Sequence, residues 1–297
     1  MNSVLLHLYP QRFRRAFGYE MAEAYREATA GAGRRARFGE AADVVAHALR
    51  MRLGLTSTRP GGRLLAVAAP FALAVTAAYA AFNLHESTSN WYVMGAGGGG
   101  MPLVTPLNGC YLLTLIGAVI ALAGPYLAGA LCSVAGTLGS SVVFLHPAWP
   151  TASDLRWDFA AFLITPVLAA ALPLLCPPDL RPAPRARNRA GVLAVAVWAV
   201  LLVGVLTVTD PVGTGLLLPW RFGVPLAAAL FLAGRQAFTR IRTTAHLALA
   251  TAPLITVLHF SGWTQSTDTL AALGALAVAA GVLRLRRRSG SHAVDPA

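Results

Sequence analysis

The sequence predicts an all-α protein: a polytopic transmembrane bundle of about eight spans behind a short cytoplasmic helical hairpin. Three observations predict it. Of the 297 residues, 56% are hydrophobic and only 12% charged, about half the charged share of an ordinary soluble domain. The apolar residues gather into eight stretches close to the length that crosses a bilayer. The 24 cations, all arginine, collect on one side of those stretches.

Residues 1–60 make the first domain. Apolar positions recur at Phe13, Phe17, Met21, Ala24, Tyr25 and Ala28, three and four residues apart, which lines one face of a helix. Arg14, Arg15, Glu23, Arg26 and Glu27 take the opposite face. After the Gly31-Ala32-Gly33 break, a second stripe runs through Phe38, Ala41, Val44, Val45, Ala48 and Leu49. The two helices are expected to cover one another as a hairpin. A core of this size is marginal, so docking on the membrane or the bundle is expected to complete it. Arg50, Arg52, Arg59 and Arg63 then meet anionic lipids of the inner leaflet, where each cation is worth about 1 kcal/mol.

The run Leu8-Tyr9-Pro10 with Arg14, Gly18, Glu20 and Met21, followed by Ala42-Asp43 and Ala48-Leu49-Arg50 ahead of an apolar span, resembles the N-terminal prefix module of bacterial ABC-type permeases. It is also similar to the start of multi-pass membrane proteins of actinobacterial type. The likeness covers residues 1–55. It implies a cytoplasmic helical module joined to a membrane domain, and it carries no transport activity with it.

The second domain, residues 61–285, holds the spans. Lipid offers no partners to backbone N–H and C=O groups, so a crossing takes a helix of about 20 apolar residues. On that criterion the spans are 64–82, 106–123, 126–145, 159–176, 191–208, 216–234, 246–263 and 270–283. No charge interrupts 107–145. One helix over that stretch, at about 1.5 Å per residue, would be nearly twice the bilayer's apolar thickness, so Gly124-Pro125 is read as a turn between two spans. The eighth span is short and continues through Arg284, whose side chain snorkels to the interface. The first span follows a long polar segment and is expected to stay in the mature protein, unlike a signal peptide. Residues 286–297 form a basic, disordered cytoplasmic tail.

Placing the N-terminus inside puts 22 of the 24 arginines on the cytoplasmic side and leaves Arg156 and Arg221 outside. The positive-inside rule demands this asymmetry, and it holds only for an even number of spans between basic segments. Trp91, Trp149, Trp157, Trp220 and Trp263 all fall on the outer side, where indole rings favour the headgroup level. Both signals place the chain in the plasma membrane with its two termini in the cytoplasm. Within span three, Gly129, Ser133, Gly136 and Ser140 follow small-xxx-small spacing, which predicts close helix approach inside the bundle. Pro70, Pro166, Pro173, Pro225 and Pro253 are expected to kink their helices.

Chemistry is sparse. No P-loop, dinucleotide fingerprint or Cys-x-x-Cys occurs, the three cysteines make no disulfide framework, and the seven histidines stand at no metal spacing. Neither cofactor nor enzyme activity is expected. The basic charge is accounted for by the inner loops and argues for no nucleic acid. Two candidate sites remain. Arg221 sits below the outer boundary of span six, with Asp158, Asp210 and Asp268 as possible partners and Trp220, Trp157 and Trp263 around it. That arrangement reads as an outer polar pocket, or else as an arginine snorkelling to headgroups. His259 lies in span seven near Thr256 and Ser261, either as a proton relay or as a neutral histidine hydrogen-bonded to a neighbouring helix. The expected function is a membrane component of a transport or export system working with a separate ATPase. A membrane-bound regulator holding a cytoplasmic partner on its N-terminal module is the alternative.

Overall fold

The computed structural model describes residues 6–95, 104–145, 157–181 and 218–260, apart from the side chains of Trp157 to Phe159, Leu218 to Arg221 and a few others within the helices. Every regular element among them is helical. Contacts divide the chain into two units, residues 1–65 with 175–180, and residues 66–174 with 181–297.

In the first unit, α1 (Gln11–Thr29) follows Pro10 and α2 (Arg34–Arg52) follows Gly33. Gly31 at φ 74° makes the turn between them, and Gly54 at φ 68° ends α2; both are left-handed positions that favour glycine. What ties the helices together is Tyr9, only 2% exposed. Its hydroxyl donates to the Val44 carbonyl at 3.2 Å and lies 3.0 Å from His47 Nδ1, while its ring stacks on Phe13 at 5.4 Å. Arg52 Nη2 adds a 2.8 Å bond to the His7 carbonyl. The stripes expected to cover one another are covered only in part, with Phe13, Met21, Tyr25, Ala41 and Val44 half-buried. No residue of α1 is buried, and the second stripe splits, with Ala48 inward while Phe38 stays 78% exposed and Leu49 51%. Helical rotation explains the split: Val44 and Ala48 lie toward Tyr9, whereas Phe38, Val45 and Leu49 fall within about 20° of one line on another face.

Three helices of the described residues are long and apolar enough to cross a membrane, which fits a membrane protein. α3 (Pro60–Gly95) contains the first of these and runs well past Phe82, where the sequence reading ends the span. Nearly every residue from Ala66 to Asn83 is buried, so α3 is packed on all sides. α4 (Val104–Ala123) and α5 (Tyr126–Phe144) are separate helices, broken at Gly124-Pro125 as the length argument requires. They touch through the predicted small residues: Gly129, Ser133, Gly136 and Ser140 are all buried. A Cβ on Gly117 would come within 2.5 Å of the Ser133 nitrogen, and one on Gly136 would meet Thr114 and the Cys110 carbonyl. Their large side chains point away: Leu112, Ile116, Leu131, Leu138 and Val142 are all exposed.

Spans four, six and seven correspond to shorter apolar helices, α6 (Trp157–Ala171), α7 (Leu218–Ala233) and α9 (Thr244–Phe260). Spans five and eight, and the C-terminal tail, lie outside the described residues. Pro70, Pro166, Pro225 and Pro253 sit inside helices, whereas Pro173 falls in a 3-10 turn, Leu172–Leu175, into which α6 gives way. The ring of a proline disfavours α geometry at the residue before it. A five-residue helix, α8 (Arg235–Thr239), follows α7 across Gly234 at φ 72°.

Candidate functional site

The polar groups buried in the bundle come from three helices. α3 supplies Thr76, Asn83 and His85, α4 supplies Thr114, and α5 supplies Ser133, Thr137 and Ser140, each at most 6% exposed. Helical bonding uses most of them locally. Thr76 Oγ1 donates to the Ala72 carbonyl at 2.8 Å, Thr114 to Cys110 at 2.9 Å, Thr137 to Ser133 at 2.7 Å, and Asn83 Nδ2 to Tyr79 at 2.8 Å. A hydroxyl bonded back to its own helix costs little to bury without any partner across the interface. Between α4 and α5 the Thr114 and Thr137 hydroxyls approach to 3.5 Å. The Tyr79 and Tyr111 rings meet edge-to-face, centroids 6.1 Å apart. They belong to a cluster with Val75, Leu107, Ala169 and Val257, with Phe222 and Leu226 of α7 packed against it, so several helices meet around the second half of α3. Asn108 Oδ1 and Ser133 Oγ are buried with no hydrogen-bond partner among the described residues.

The sequence reading missed Asn83 and His85 because hydropathy falls beyond Phe82 and the span seemed complete there. A signal was present nonetheless: Thr76, Tyr79, Asn83 and Glu86 repeat at three, four and three residues, one face of a helix. The outer pocket has a different outcome. Arg221 and Trp220 lie on α7 and Asp158 and Trp157 on α6, but their side chains are outside the described set, as are Asp210, Asp268 and Trp263 entirely. Phe222, the neighbour of Arg221, packs on Phe82 of α3 with centroids 6.4 Å apart, so this end of α7 lies beside the end of the first apolar span. His259 is exposed, its ring 4.9 Å from Phe260, and Thr256 bonds the Ala252 and Pro253 carbonyls of its own helix. The Thr256 hydroxyl hydrogen is therefore engaged within α9. Among the described residues no three His, Cys, Asp or Glu side chains converge, and Cys110, Cys132 and Cys176 are free thiols.

Among the described residues outside the long apolar helices, Tyr9 is the perturbed group. Burial pushes its hydroxyl above 10.0, and the nearby Asp43 carboxylate adds to this while Arg50 opposes it. Tyr9 stays a neutral donor to Val44. No known family, characterised protein or solved structure matches this chain.

Proposed function

We propose that the chain is a multi-pass plasma-membrane component of a transport or export system, with eight spans and both termini inside. The observation that carries this reading is α3: a membrane-length helix enclosed on every side, with Thr76, Tyr79, Asn83 and Glu86 on one face. Ionisable groups in membrane segments are costly and mark functional sites by default, and His85 and Glu86 stand at the end of this span. No nucleotide-binding motif stands in the sequence, so energy for transport would come from a separate ATPase. Purification from native membranes in mild detergent is then expected to bring ATP hydrolysis into the eluate. A chain that elutes alone and without hydrolysis would remove the transport reading.

Topology has its own test. Cysteines at Ser87 and Ser266 should react with an impermeant maleimide from outside, and those at Asn188 and Ser289 only after permeabilisation. Exterior labelling at Asn188 overturns the eight-span arrangement.

The N-terminal module is proposed to lie on anionic lipid. Phe38, Val45 and Leu49 form an exposed apolar line on α2, with Arg34 and Arg52 beside it and Glu40 and Asp43 well around the helix. The same uncovered face favours the second reading, a regulator that holds a soluble cytoplasmic partner. Deleting residues 1–55 separates the two: hydrolysis in the eluate that survives the deletion leaves the module to the lipid, whereas its loss assigns the partner to the module.

A further inference from the structure

A proline inside a helix has no N–H for the carbonyl four residues earlier, and its ring crowds that carbonyl. In α3 the proline is Pro70 and the carbonyl is that of Ala66. Arg240, 174 residues along the chain, donates Nη1 to the Ala66 oxygen at 2.9 Å. The segment that carries Arg240 is docked on the same turn of α3. Phe238 meets the Phe71 ring edge-on, with centroids 5.5 Å apart and planes at 90°. Val67, Phe71, Ala237 and Ala250 form one buried cluster, with Leu230, Ala233 and Ile241 against it. Gly234, in the left-handed region, lets α8 turn off the end of α7 into this position.

We infer that Arg240 replaces the donor deleted by Pro70, and that residues 234–242 form a strap locking α3 at its proline. Three properties suit arginine to the task. Its guanidinium is charged at every physiological pH, its stem crosses apolar surface, and a charged donor makes a stronger bond to a carbonyl than a neutral one does. An amide at residue 70 would make the same bond within the helix, so the strap is needed only because residue 70 is proline. The pairing thus joins the loop between α7 and α9 to the helix that carries the buried polar face. A released strap would leave the Ala66 carbonyl to water and free the first turns of α3 to bend.

The test is hydrogen exchange, followed by mass spectrometry, on the full chain in lipid nanodiscs, read on peptides covering residues 64–75. Arg240→Ala should speed exchange there about ten-fold, the factor that losing one charged hydrogen bond allows. Arg242→Ala removes the same charge from the same loop and should leave exchange unchanged. In a Pro70→Ala background, where the introduced alanine supplies the missing N–H, Arg240→Ala should change exchange less than about two-fold, a coupling that only a shared bond produces. Equal effects of Arg240→Ala and Arg242→Ala would reduce the strap to bulk charge. An Arg240→Ala effect undiminished by Pro70→Ala would show that the proline is irrelevant to it. If Pro70→Ala does not fold, the Arg240→Ala and Arg242→Ala comparison still decides, and Arg240→Lys, which keeps the charge and one donor, should fall between wild type and Arg240→Ala.

Discussion

The helix α3 and the pair α4–α5 are similarly apolar, yet they are buried in opposite senses. α3 is enclosed all round, large and small residues alike: Leu73, Val75 and Tyr79 are buried with Ala72, Ala74 and Ala78. In α4 and α5 the small residues are inside and the leucines mostly outside. Lipid tails are as apolar as leucine, so no hydrophobic force draws leucines together across a membrane interface. Contact is won there by backbones that approach closely, which Gly117, Gly129 and Gly136 permit. An enclosed helix meets other helices on every face and fills its surroundings as a soluble core does. Hydrophobicity therefore makes both regions long and apolar enough to cross a membrane without saying which residues carry the packing.

The comparison breaks first if leucine truncations cost the same in both regions. Leu73→Ala in α3 should destabilise the detergent-solubilised protein by about 2–5 kcal/mol, and Leu131→Ala in α5, at 51% exposure, by no more than about 0.5 kcal/mol. Thermal unfolding of the two variants side by side reads the difference.

Glycine substitutions sharpen it. Gly136→Ala places a methyl against Thr114 and the Cys110 carbonyl, and should cost about 1–3 kcal/mol despite the better helix propensity of alanine. Gly109, on α4, has nothing within 4 Å of its Cβ position. There the propensity acts alone, and Gly109→Ala should stabilise by up to about 1 kcal/mol. Two glycine-to-alanine changes of the same sign would show that α4 and α5 do not touch backbone to backbone at Gly136.

The smallest effect belongs to the N-terminal module, where one side chain joins two otherwise exposed helices. Tyr9→Phe removes the bond to Val44 and should cost about 1 kcal/mol. Folding raises the Tyr9 hydroxyl above its unfolded value of 10.0. Its contribution is thus fully present below that pH and is lost as pH rises through the raised folded value. Melting curves at about pH 9 and about pH 11 should therefore separate wild type from Tyr9→Phe at the lower pH and converge at the higher. A difference independent of pH would show that Tyr9 ionises as it does in water.

Much of the α4–α5 contact was legible beforehand. The turn at Gly124-Pro125 followed from length alone, and the Gly129, Ser133, Gly136 and Ser140 face followed from spacing. The candidate site was far less so. Asn83 and His85 escaped because hydropathy averages over a window, and burial on the far end of a helix depends on what stands beside it. The second stripe of α2 divides for a related reason: apolar residues mark a face that needs cover, whereas Tyr9 reached α2 along the line of Val44 and Ala48.

By itself the sequence determined the helical architecture, the long apolar helices that fit a membrane protein and the small-residue face, because each follows from local composition and period. Only the tertiary structure decided that α3 is the enclosed helix and that the bond lost at Pro70 is restored by Arg240. The reason is one of range. A proline announces in sequence that a carbonyl will lack its donor, but a replacement 174 residues away can be found only where packing has brought the two together.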